Sequence, residues 1–262
     1  MMPVPSPCID PPRIIAHRGA SETHPENTVA AFDQALAEGC DGIELDLQLS
    51  RDGIAMVYHD QTLDKIGGGR RGVADLCATE IAVLDAGSWL HPQHSGQRVP
   101  TLELVLDRYG SQTSLLLELK VRREDKRAGR HLALVEAMVA QLRTRRPQAA
   151  MVLCFDLDTL DAVSALAPEC PTVLNLNTPG HLTGPLSRSL ARVSALSLDV
   201  DTIAHEVVAA AHDAATPVFA WTCNTPDAVG RALDAGADGL MSDRPGWLRD
   251  LLANRPAAHP PS

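Results

Sequence analysis

Short apolar runs of strand length alternate along the chain with longer stretches whose apolar residues recur at helical spacing. The runs predict β-strands at 13–16, 43–49, 54–59, 115–120, 151–155, 172–176, 195–198, 217–221 and 239–242. Helices are predicted between most of them, notably at 131–145, 158–166, 204–215 and 226–235. An earlier helix opens at residues 25–28, PENT, and ends at Gly39, a residue type that commonly follows a helix.

An internal similarity supports this alternation. Residues 35–43, ALAEGCDGI, match residues 232–240, ALDAGADGL, in type and spacing. Each segment is typical of a helix end, a glycine and the start of a strand. Strands that alternate with helices over ~250 residues predict an α/β fold, a (β/α)8 TIM barrel, more than an open doubly wound sheet. Neither GxGxxG nor GxxxxGK[ST] occurs, which disfavours a nucleotide-binding fold.

One segment interrupts the alternation. Only residues 50–53 separate two predicted strands, far fewer than a parallel crossover needs, so we expect a β-hairpin near the second and third strands that turns at Asp52-Gly53. Residues 60–100 are irregular and predict a small insertion at the barrel mouth. Within it, GGGRRG at 67–72 fits either a mobile lid or a solvated loop. The barrel domain should span 13–250, between loose termini at 1–12 and 254–262.

The second predicted strand, IELDLQL at 43–49, alternates strictly between aliphatic and polar residues. Its polar face carries Glu44, Asp46 and Gln48. In a barrel this face would point inward, where two carboxylates repel each other and lose hydration unless a cation compensates. Alternation alone leaves a second interpretation open, an ordinary amphipathic strand with its polar face in water.

The predicted hairpin favours a site over a plain amphipathic strand. Pairing about its turn places Asp46 opposite or nearly opposite Tyr58, and His59 becomes a neighbour of Glu44 and Asp46. A third carboxylate, Glu118, ends another apolar run. Three carboxylates that converge at strand ends suit a hard divalent cation, Mg²⁺ or Ca²⁺, better than zinc.

Cationic and titratable residues accompany these acids. Glu118 and Lys120 share one strand face, so a cation-binding and a phosphate-binding group would sit side by side; a surface pair is the alternative. Three residues, His17, Arg18 and Gly19, directly follow the first predicted strand. The histidine titrates near neutral pH, the arginine guanidinium can bind two phosphate oxygens at once, and the glycine lets the backbone approach a ligand closely. Taken alone, a histidine at a strand end is more often structural.

Composition narrows the function classes. The 262 residues are 45% apolar and 21% charged, which is typical of a globular protein, and the net charge of −10 disfavours broad binding to nucleic acid or anionic membranes. Aromatic residues, at 3%, are too sparse for base stacking. The first residues do not show the pattern of a signal peptide. No apolar run reaches the about 18–20 residues that a membrane span needs, so we expect no membrane span. Six scattered cysteines favour a reducing compartment, and we expect a cytoplasmic protein.

A series of short motifs extends along nearly the whole chain. They are HRGA at 17–20, PENT at 25–28, GIELD at 42–46, DG at 52–53, HD at 59–60, VADL at 73–76, LDAG at 84–87, VPTLE at 99–103, LELK at 117–120, AWTCN at 220–224 and SDRP at 242–245. In this order and spacing the motifs resemble those of the glycerophosphodiester phosphodiesterases. The resemblance covers roughly residues 13–250.

The resemblance implies a (β/α)8 barrel whose active site lies at the carboxyl ends of the strands. It implies His17 and His59 as a general acid–base pair, Glu44, Asp46 and Glu118 as metal ligands, Arg18 and Lys120 as phosphate-binding groups, and Phe155 and Trp221 as pocket walls. The implied reaction is metal-dependent hydrolysis of small-molecule glycerophosphodiesters to glycerol 3-phosphate and an alcohol, as part of lipid and glycerol metabolism. The glycerol hydroxyl would be the nucleophile and Mg²⁺, Ca²⁺ or Mn²⁺ the cofactor. Plain core packing stays open as the role of Phe155.

Two other functions compete with this interpretation. A lysophospholipase D-like activity on lipid phosphodiesters would need an apolar mouth, which scarce aromatics and negative charge disfavour. A non-catalytic barrel that binds phosphorylated ligands is disfavoured because both histidines and all three acids occur together.

Two further motifs have simpler explanations: HPQH at 91–94 fits a solvated tract, and SDRP at 242–245 fits a helix N-cap better than a pocket. The variable loops around 60–100 and 175–190 should select the head group.

Overall fold

A computed structural model of the protein describes residues 11–178 and 186–255. Nine strands form one sheet: β1 (Arg13–His17), β2 (Gly42–Leu49), β3 (Ala55–Val57), β4 (Ser114–Leu119), β5 (Ala150–Cys154), β6 (Thr172–Leu176), β7 (Ala195–Asp199), β8 (Val218–Trp221) and β9 (Gly239–Ser242). Every strand except β3 runs parallel to its neighbours, and β1 pairs with both β2 and β9. These pairings close an eight-stranded parallel barrel, so the predicted TIM-barrel fold is confirmed.

Ten α-helices accompany the strands: α1 (Val29–Ala37), α2 (Ala78–Ile81), α3 (Leu102–Tyr109), α4 (Arg123–Arg127), α5 (Arg130–Arg145), α6 (Leu157–Leu166), α7 (Leu186–Leu190), α8 (His205–Asp213), α9 (Pro226–Ala235) and α10 (Pro245–Ala253), counted over the described residues. Several begin at the side-chain caps that their sequences favour. Thr28 accepts a hydrogen bond from Ala31 N at the start of α1, and Thr225 accepts one from Ala228 N at the start of α9. Gly236, at φ 93°, ends α9 in the left-handed region, as the repeated glycine pattern predicts.

The main apolar core lies between the barrel wall and the surrounding helices. The aliphatic face of β2, with Ile43, Leu45 and Leu47 fully buried, packs there with residues of α1, α3 and α5. The other face of β2 therefore points into the barrel, and the interpretation of β2 as a solvent-facing amphipathic strand is wrong. This orientation carries Glu44 and Asp46 inward.

The predicted hairpin is present. Strand β3 pairs antiparallel with the end of β2, with Leu47 opposite Val57 and Leu49 opposite Ala55. Beyond the last ladder pair, Tyr58 N donates to Asp46 O at 2.9 Å, which is the pairing expected from a turn at residues 52–53. The strand segment, Ala55–Val57, is shorter than the predicted 54–59, and the chain enters the insertion after Tyr58.

The insertion is folded around an apolar cluster of its own. It contains α2 and three single-turn 3₁₀ segments, Asp64–Ile66, Val73–Asp75 and Pro92–His94. Its buried members are Met56, Tyr58, Leu63, Ile66, Val73, Leu76, Ile81, Ala86 and Val99. The tip around Arg70 and Arg71 is exposed. The insertion therefore rests on the hairpin as a packed unit, and its tip fits the solvated-loop alternative.

The described part of the chain also bears on compartment and termini. Cys40, Cys77, Cys154, Cys170 and Cys223 are free thiols. No helix within 11–178 or 186–255 has the length and apolar character needed to cross a membrane. The predicted loose termini fall almost wholly outside the described residues, as does part of the predicted loop at 175–190.

Candidate active site

A cavity of about 240 Å³ opens at the carboxyl ends of the barrel strands, and we call it the carboxyl-end cavity. Eight of the nine predicted site residues line it: His17, Arg18, Glu44, His59, Glu118, Lys120, Phe155 and Trp221. The ninth, Asp46, is fully buried and contacts two of these residues, Arg18 and Lys120. The sequence analysis therefore selected side chains that the fold brings to one place.

Strand register explains how three acids from two strands meet. In the parallel pair β2–β4, Asp46 lies opposite Glu118, and in the pair β1–β2, His17 lies opposite Glu44. Carboxylate oxygens of Glu44, Asp46 and Glu118 all lie within 4.8 Å of one another. All three side chains are buried. Because such a group is strongly repulsive without compensating charge, it could hold a metal ion.

Two cations face these acids. Lys120 Nζ lies 3.0 Å from Asp46 Oδ1 and 2.5 Å from Glu118 Oε1. Arg18 Nε lies 3.2 Å from Asp46 Oδ2. Burial acts to raise the pKa of Asp46, but the charges of Lys120 and Arg18 outweigh burial and hold that pKa well below its ordinary value. Asp46 is therefore a stable anion at the centre of the site.

Glu44 is in the opposite electrostatic situation. Its Oε2 accepts a hydrogen bond from Arg18 N at 3.1 Å, whereas its buried Oε1 has no hydrogen-bond partner. Burial, followed by repulsion from Asp46, raises the pKa of Glu44 to about 8. An unsatisfied oxygen on a buried carboxylate is costly, so this position needs a further positive partner.

His17 is held from both sides of its ring. Its Nδ1 lies 2.6 Å from Asp243 Oδ1, and its Nε2 lies 4.0 Å from Glu44 Oε2. Burial acts to lower the pKa of His17, but the hydrogen bond to Asp243 and the charge of Glu44 outweigh it, so the pKa lies above its ordinary value. This environment favours the protonated imidazolium.

His59 lies across the cavity in a different environment. Its Nδ1 lies 2.9 Å from Asp60 Oδ1. Burial lowers the pKa of His59; the charge of Asp46 opposes this effect, while Lys120 and Arg18 add to it, so the pKa lies below its ordinary value. The pKa values of the two histidines therefore lie on opposite sides of the ordinary histidine value.

Several supporting residues were missed at the sequence level. The sequence analysis assigned Asp243 and its neighbours to a helix N-cap. Helix α10 does begin after this motif, but its N-cap residue is Arg244. Asp243 instead faces His17. Ser21 and Asn224 donate to the Asp243 carboxylate at 2.9 and 2.6 Å. The available signal was a strand-end histidine that needed a carboxylate partner.

The motif PENT does more than open α1. Asn27, at φ 58°, donates from Nδ2 to Asp46 Oδ2 at 2.7 Å and accepts from Asp46 N at 3.2 Å. Glu26 Oε2 accepts from Arg18 Nη1 at 3.1 Å. The two residues before the helix cap therefore orient Asp46 and Arg18.

Two aromatic rings form the apolar wall of the cavity. Phe155 and Trp221 meet edge to face with their centroids 5.9 Å apart. Phe155 is 44% exposed, so plain core packing does not describe it. In the HPQH segment, where a solvated tract was expected, His94 is instead buried, and its ring centroid lies 5.1 Å from that of His24.

Comparisons with known proteins show which family this chain resembles. A model of the Glycerophosphoryl diester phosphodiesterase family matches residues 17–247. A glycerophosphodiester phosphodiesterase of Caldanaerobacter subterraneus is 32% identical over 249 residues, which cover 91% of this chain and 97% of that protein. One from Bacillus subtilis is 31% identical over 258 residues, covering 90% and 86%. The structure of an Oleispira antarctica phosphodiesterase, solved in complex with the product sn-glycerol-3-phosphate, shares 28% identity at a TM-score of 0.82, covering 93% and 97%.

The fold and these likenesses define a hydrolase that acts on phosphoric diesters. The chain belongs to the glycerophosphoryl diester phosphodiesterase family, because the family model and both relatives extend over nearly all of it. Its activity is therefore glycerophosphodiester hydrolysis, as the motifs of the sequence indicate.

Proposed function

We propose that this enzyme cleaves glycerophosphodiesters to glycerol 3-phosphate and an alcohol with His17 and His59 as its acid–base pair and a divalent ion held by Glu44, Asp46 and Glu118. The observation that carries the proposal is that His17 and His59 line the same cavity as the buried acidic cluster; the opposite directions of their pKa shifts support it. The product in the related Oleispira structure supports glycerol 3-phosphate as the product here.

The donor set fits a hard divalent cation. All three ligands are carboxylates, the buried Glu44 Oε1 has no hydrogen-bond partner, and Asn175 Nδ2 lies 3.3 Å from Glu118 Oε2 to orient it. Oxygen ligands of this kind favour Mg²⁺, Ca²⁺ or Mn²⁺ over softer metals. When bound, the ion would offset negative charge that develops on the phosphoryl oxygens.

Proton transfer follows from the two histidine environments. In the first step, neutral His59 takes the proton of the glycerol 2-hydroxyl as its oxygen bonds to phosphorus, and protonated His17 gives a proton to the alcohol oxygen as that P–O bond breaks. The result is a cyclic phosphate. In the second step, His17 takes a proton from water as water oxygen bonds to phosphorus, and His59 returns its proton to the released glycerol oxygen.

The remaining side chains bind the substrate. Arg18 and Lys120 lie beside the acids and would pair with phosphate oxygens, where their charge also favours the transition state. Phe155 and Trp221 would contact the carbon skeleton of glycerol. Among the described residues, Phe155 is the only exposed large apolar side chain that lines this cavity, so nothing favours a lipid-phosphodiester substrate.

The test is release of glycerol 3-phosphate from glycerophosphocholine, glycerophosphoethanolamine and glycerophosphoglycerol, with and without EDTA. We expect loss of activity on chelation, recovery with one of Mg²⁺, Ca²⁺ and Mn²⁺, and a bell-shaped pH profile of kcat/KM between the two histidine pKa values. His17→Ala and His59→Ala should each lose about 10²–10⁴-fold, while the exposed control His205→Ala retains activity. Parental activity in either site variant would overturn the acid–base assignment.

The free thiols among the described residues support cytoplasmic action, which we include in the proposal. To test the location, the protein is expressed as a reporter fusion, the host cells are fractionated, and the fraction that contains the fusion is measured. Recovery of the fusion outside the cytoplasmic fraction would contradict this part alone.

A further inference from the structure

The insertion sends one charged side chain toward the active site. Lys65, in the 3₁₀ turn Asp64–Ile66, places Nζ 2.7 Å from Glu26 Oε1 and 2.8 Å from Asp60 Oδ2. Its ammonium also lies 4.4 Å from the ring centroid of Trp89, whose Nε1 donates to Ala86 O at 2.9 Å. The lysine is thus fixed by contacts within the insertion and by two acids outside its turn.

Both of these acids hold active-site groups with their other oxygen. Asp60 Oδ1 lies 2.9 Å from His59 Nδ1, and Glu26 Oε2 accepts from Arg18 Nη1 at 3.1 Å. One ammonium therefore binds the outer oxygens of two carboxylates whose inner oxygens orient a histidine and an arginine.

The lysine also has an electrostatic task. Ligand atoms of Glu26, His59 and Asp60 lie within 4.8 Å of one another, so the two carboxylates would repel each other without a cation between them. If the two acids moved apart, Asp60 would turn the His59 ring that it binds. Glu26 would lose its contact with Arg18. Lys65, with a side chain 25% exposed, occupies that position.

We propose that Lys65 is a positioning residue, through which the folded insertion sets the orientation of His59 and Arg18 for catalysis. This inference rests on the proposed function for its kinetic consequences. It goes beyond that function because it gives the insertion a catalytic purpose: any partner or loop movement that withdraws Lys65 would reduce turnover without touching the substrate.

The test compares Lys65→Met with Lys65→Arg, and with Lys126→Met as the control, since Lys126 pairs with Asp156 and Asp158 outside the cavity. We expect Lys65→Met to lower kcat about 10-fold or more and to raise KM as Arg18 loosens. Lys65→Arg should restore most of both, and the Lys126 variant should match the parent.

The pH dependence separates positioning from a merely structural role. The charged groups that face His59 include Asp46, Asp60, Lys120 and Arg18, and a carboxylate oxygen of Glu26 also lies within 4.8 Å of its ring nitrogen. Removing the Lys65 charge leaves Glu26 and Asp60 uncompensated, which favours imidazolium, so the acidic limb of kcat/KM and the NMR titration of His59 should move to higher pH by about one unit. An unchanged titration and unchanged kcat in Lys65→Met would overturn the proposal.

Two further measurements keep the test decisive. If Lys65→Met does not fold, Lys65→Gln, which removes the charge but keeps a hydrogen-bond donor, takes its place, with the same expected loss of kcat and the same shift of the His59 titration. If the parent releases no glycerol 3-phosphate, the proposed function fails, whereas the His59 titration still tests Lys65.

Discussion

The barrel has a cavity at each end, and the larger one is not at the proposed site. The amino-end cavity, of about 690 Å³, is lined by the first residues of β1, β4 and β5 and by the end of α5. Its walls are mostly apolar side chains such as Val139, Leu142 and Met151. The carboxyl-end cavity has about 240 Å³ but gathers two histidines, two acids and two cations in its lining.

The comparison shows that a group of charged side chains that meet in one cavity indicates the candidate active site better than the volume of the cavity does. Parallel strands all end at one rim of the barrel, so residues that follow or end several strands meet there. Burying charges costs stability unless they are paired, whereas apolar walls carry no such cost. Changes at the carboxyl end should therefore alter activity strongly, whereas changes at the amino end should alter stability and leave activity nearly unchanged.

Among the variants that test this comparison of the two ends, Asp46→Asn should have the largest effect on activity. This change removes the anion that Lys120, Arg18 and Asn27 orient, and we expect kcat/KM to fall about 10²–10³-fold or more. The exposed Asp201→Asn is the matched control and should stay within twofold. An Asp46→Asn enzyme with parental turnover would remove the distinction between the two ends.

Asp243→Asn should have the next largest effect. Its hydrogen bond to His17 helps to raise the pKa of that imidazole, so the variant should lose about 10–100-fold in kcat/KM and its alkaline limb should shift to lower pH. Ser21→Ala, which removes only one donor to Asp243, should shift the limb less. A limb that stays in place would show that Asp243 does not act through His17.

Glu44→Gln sharpens the stability side of the comparison. The carboxyl pKa, 4.5 ordinarily, is raised to about 8 in the folded metal-free protein, so the fold prefers the neutral form. The free energy of unfolding in EDTA should therefore fall as pH rises from about 4.5 to about 8, and Glu44→Gln should be more stable than the parent at pH 8 by roughly 1–3 kcal/mol. Urea titrations at pH 5 and pH 8 measure both; equal parental stabilities would contradict the assignment.

The smallest effect on activity is expected at the amino-end cavity. Val139 is buried on α5, and Val139→Ala should cost about 1–2 kcal/mol, a fall in Tm of about 3–6 °C. Because it changes no charge near the chemistry, kcat/KM should stay within twofold. A large loss of activity at unchanged stability would reveal a function at this end.

Particular residues show how far the sequence analysis reached. The four-residue spacing of the hairpin correctly placed Tyr58 beside Asp46, because a short turn fixes register locally. The rule that parallel strands end at one rim correctly joined Glu118 to the acids of β2. Both inferences needed only nearby spacing or a general property of the fold.

The misses have a common cause. Asp243 lies 226 positions from His17, and Lys65 lies 39 positions from Glu26. Each was assigned from its own neighbourhood, Asp243 to a helix start and Lys65 to an irregular insertion. A local sequence pattern cannot predict a contact between residues so far apart, because that contact depends on how the strands and the insertion pack.

By itself, the sequence determined the alternating elements, the inward face of β2 given a barrel, and the acids, histidines and cations that meet at the carboxyl-end cavity. These follow from side-chain periodicity, turn length and motif order, which are properties of short segments. Only the tertiary structure decided which carboxylate faces which histidine, which way each pKa moves, and that the insertion reaches the site through Lys65. Those depend on burial and on distances of a few ångströms between residues far apart in the chain, where electrostatic interaction is strong because water is excluded.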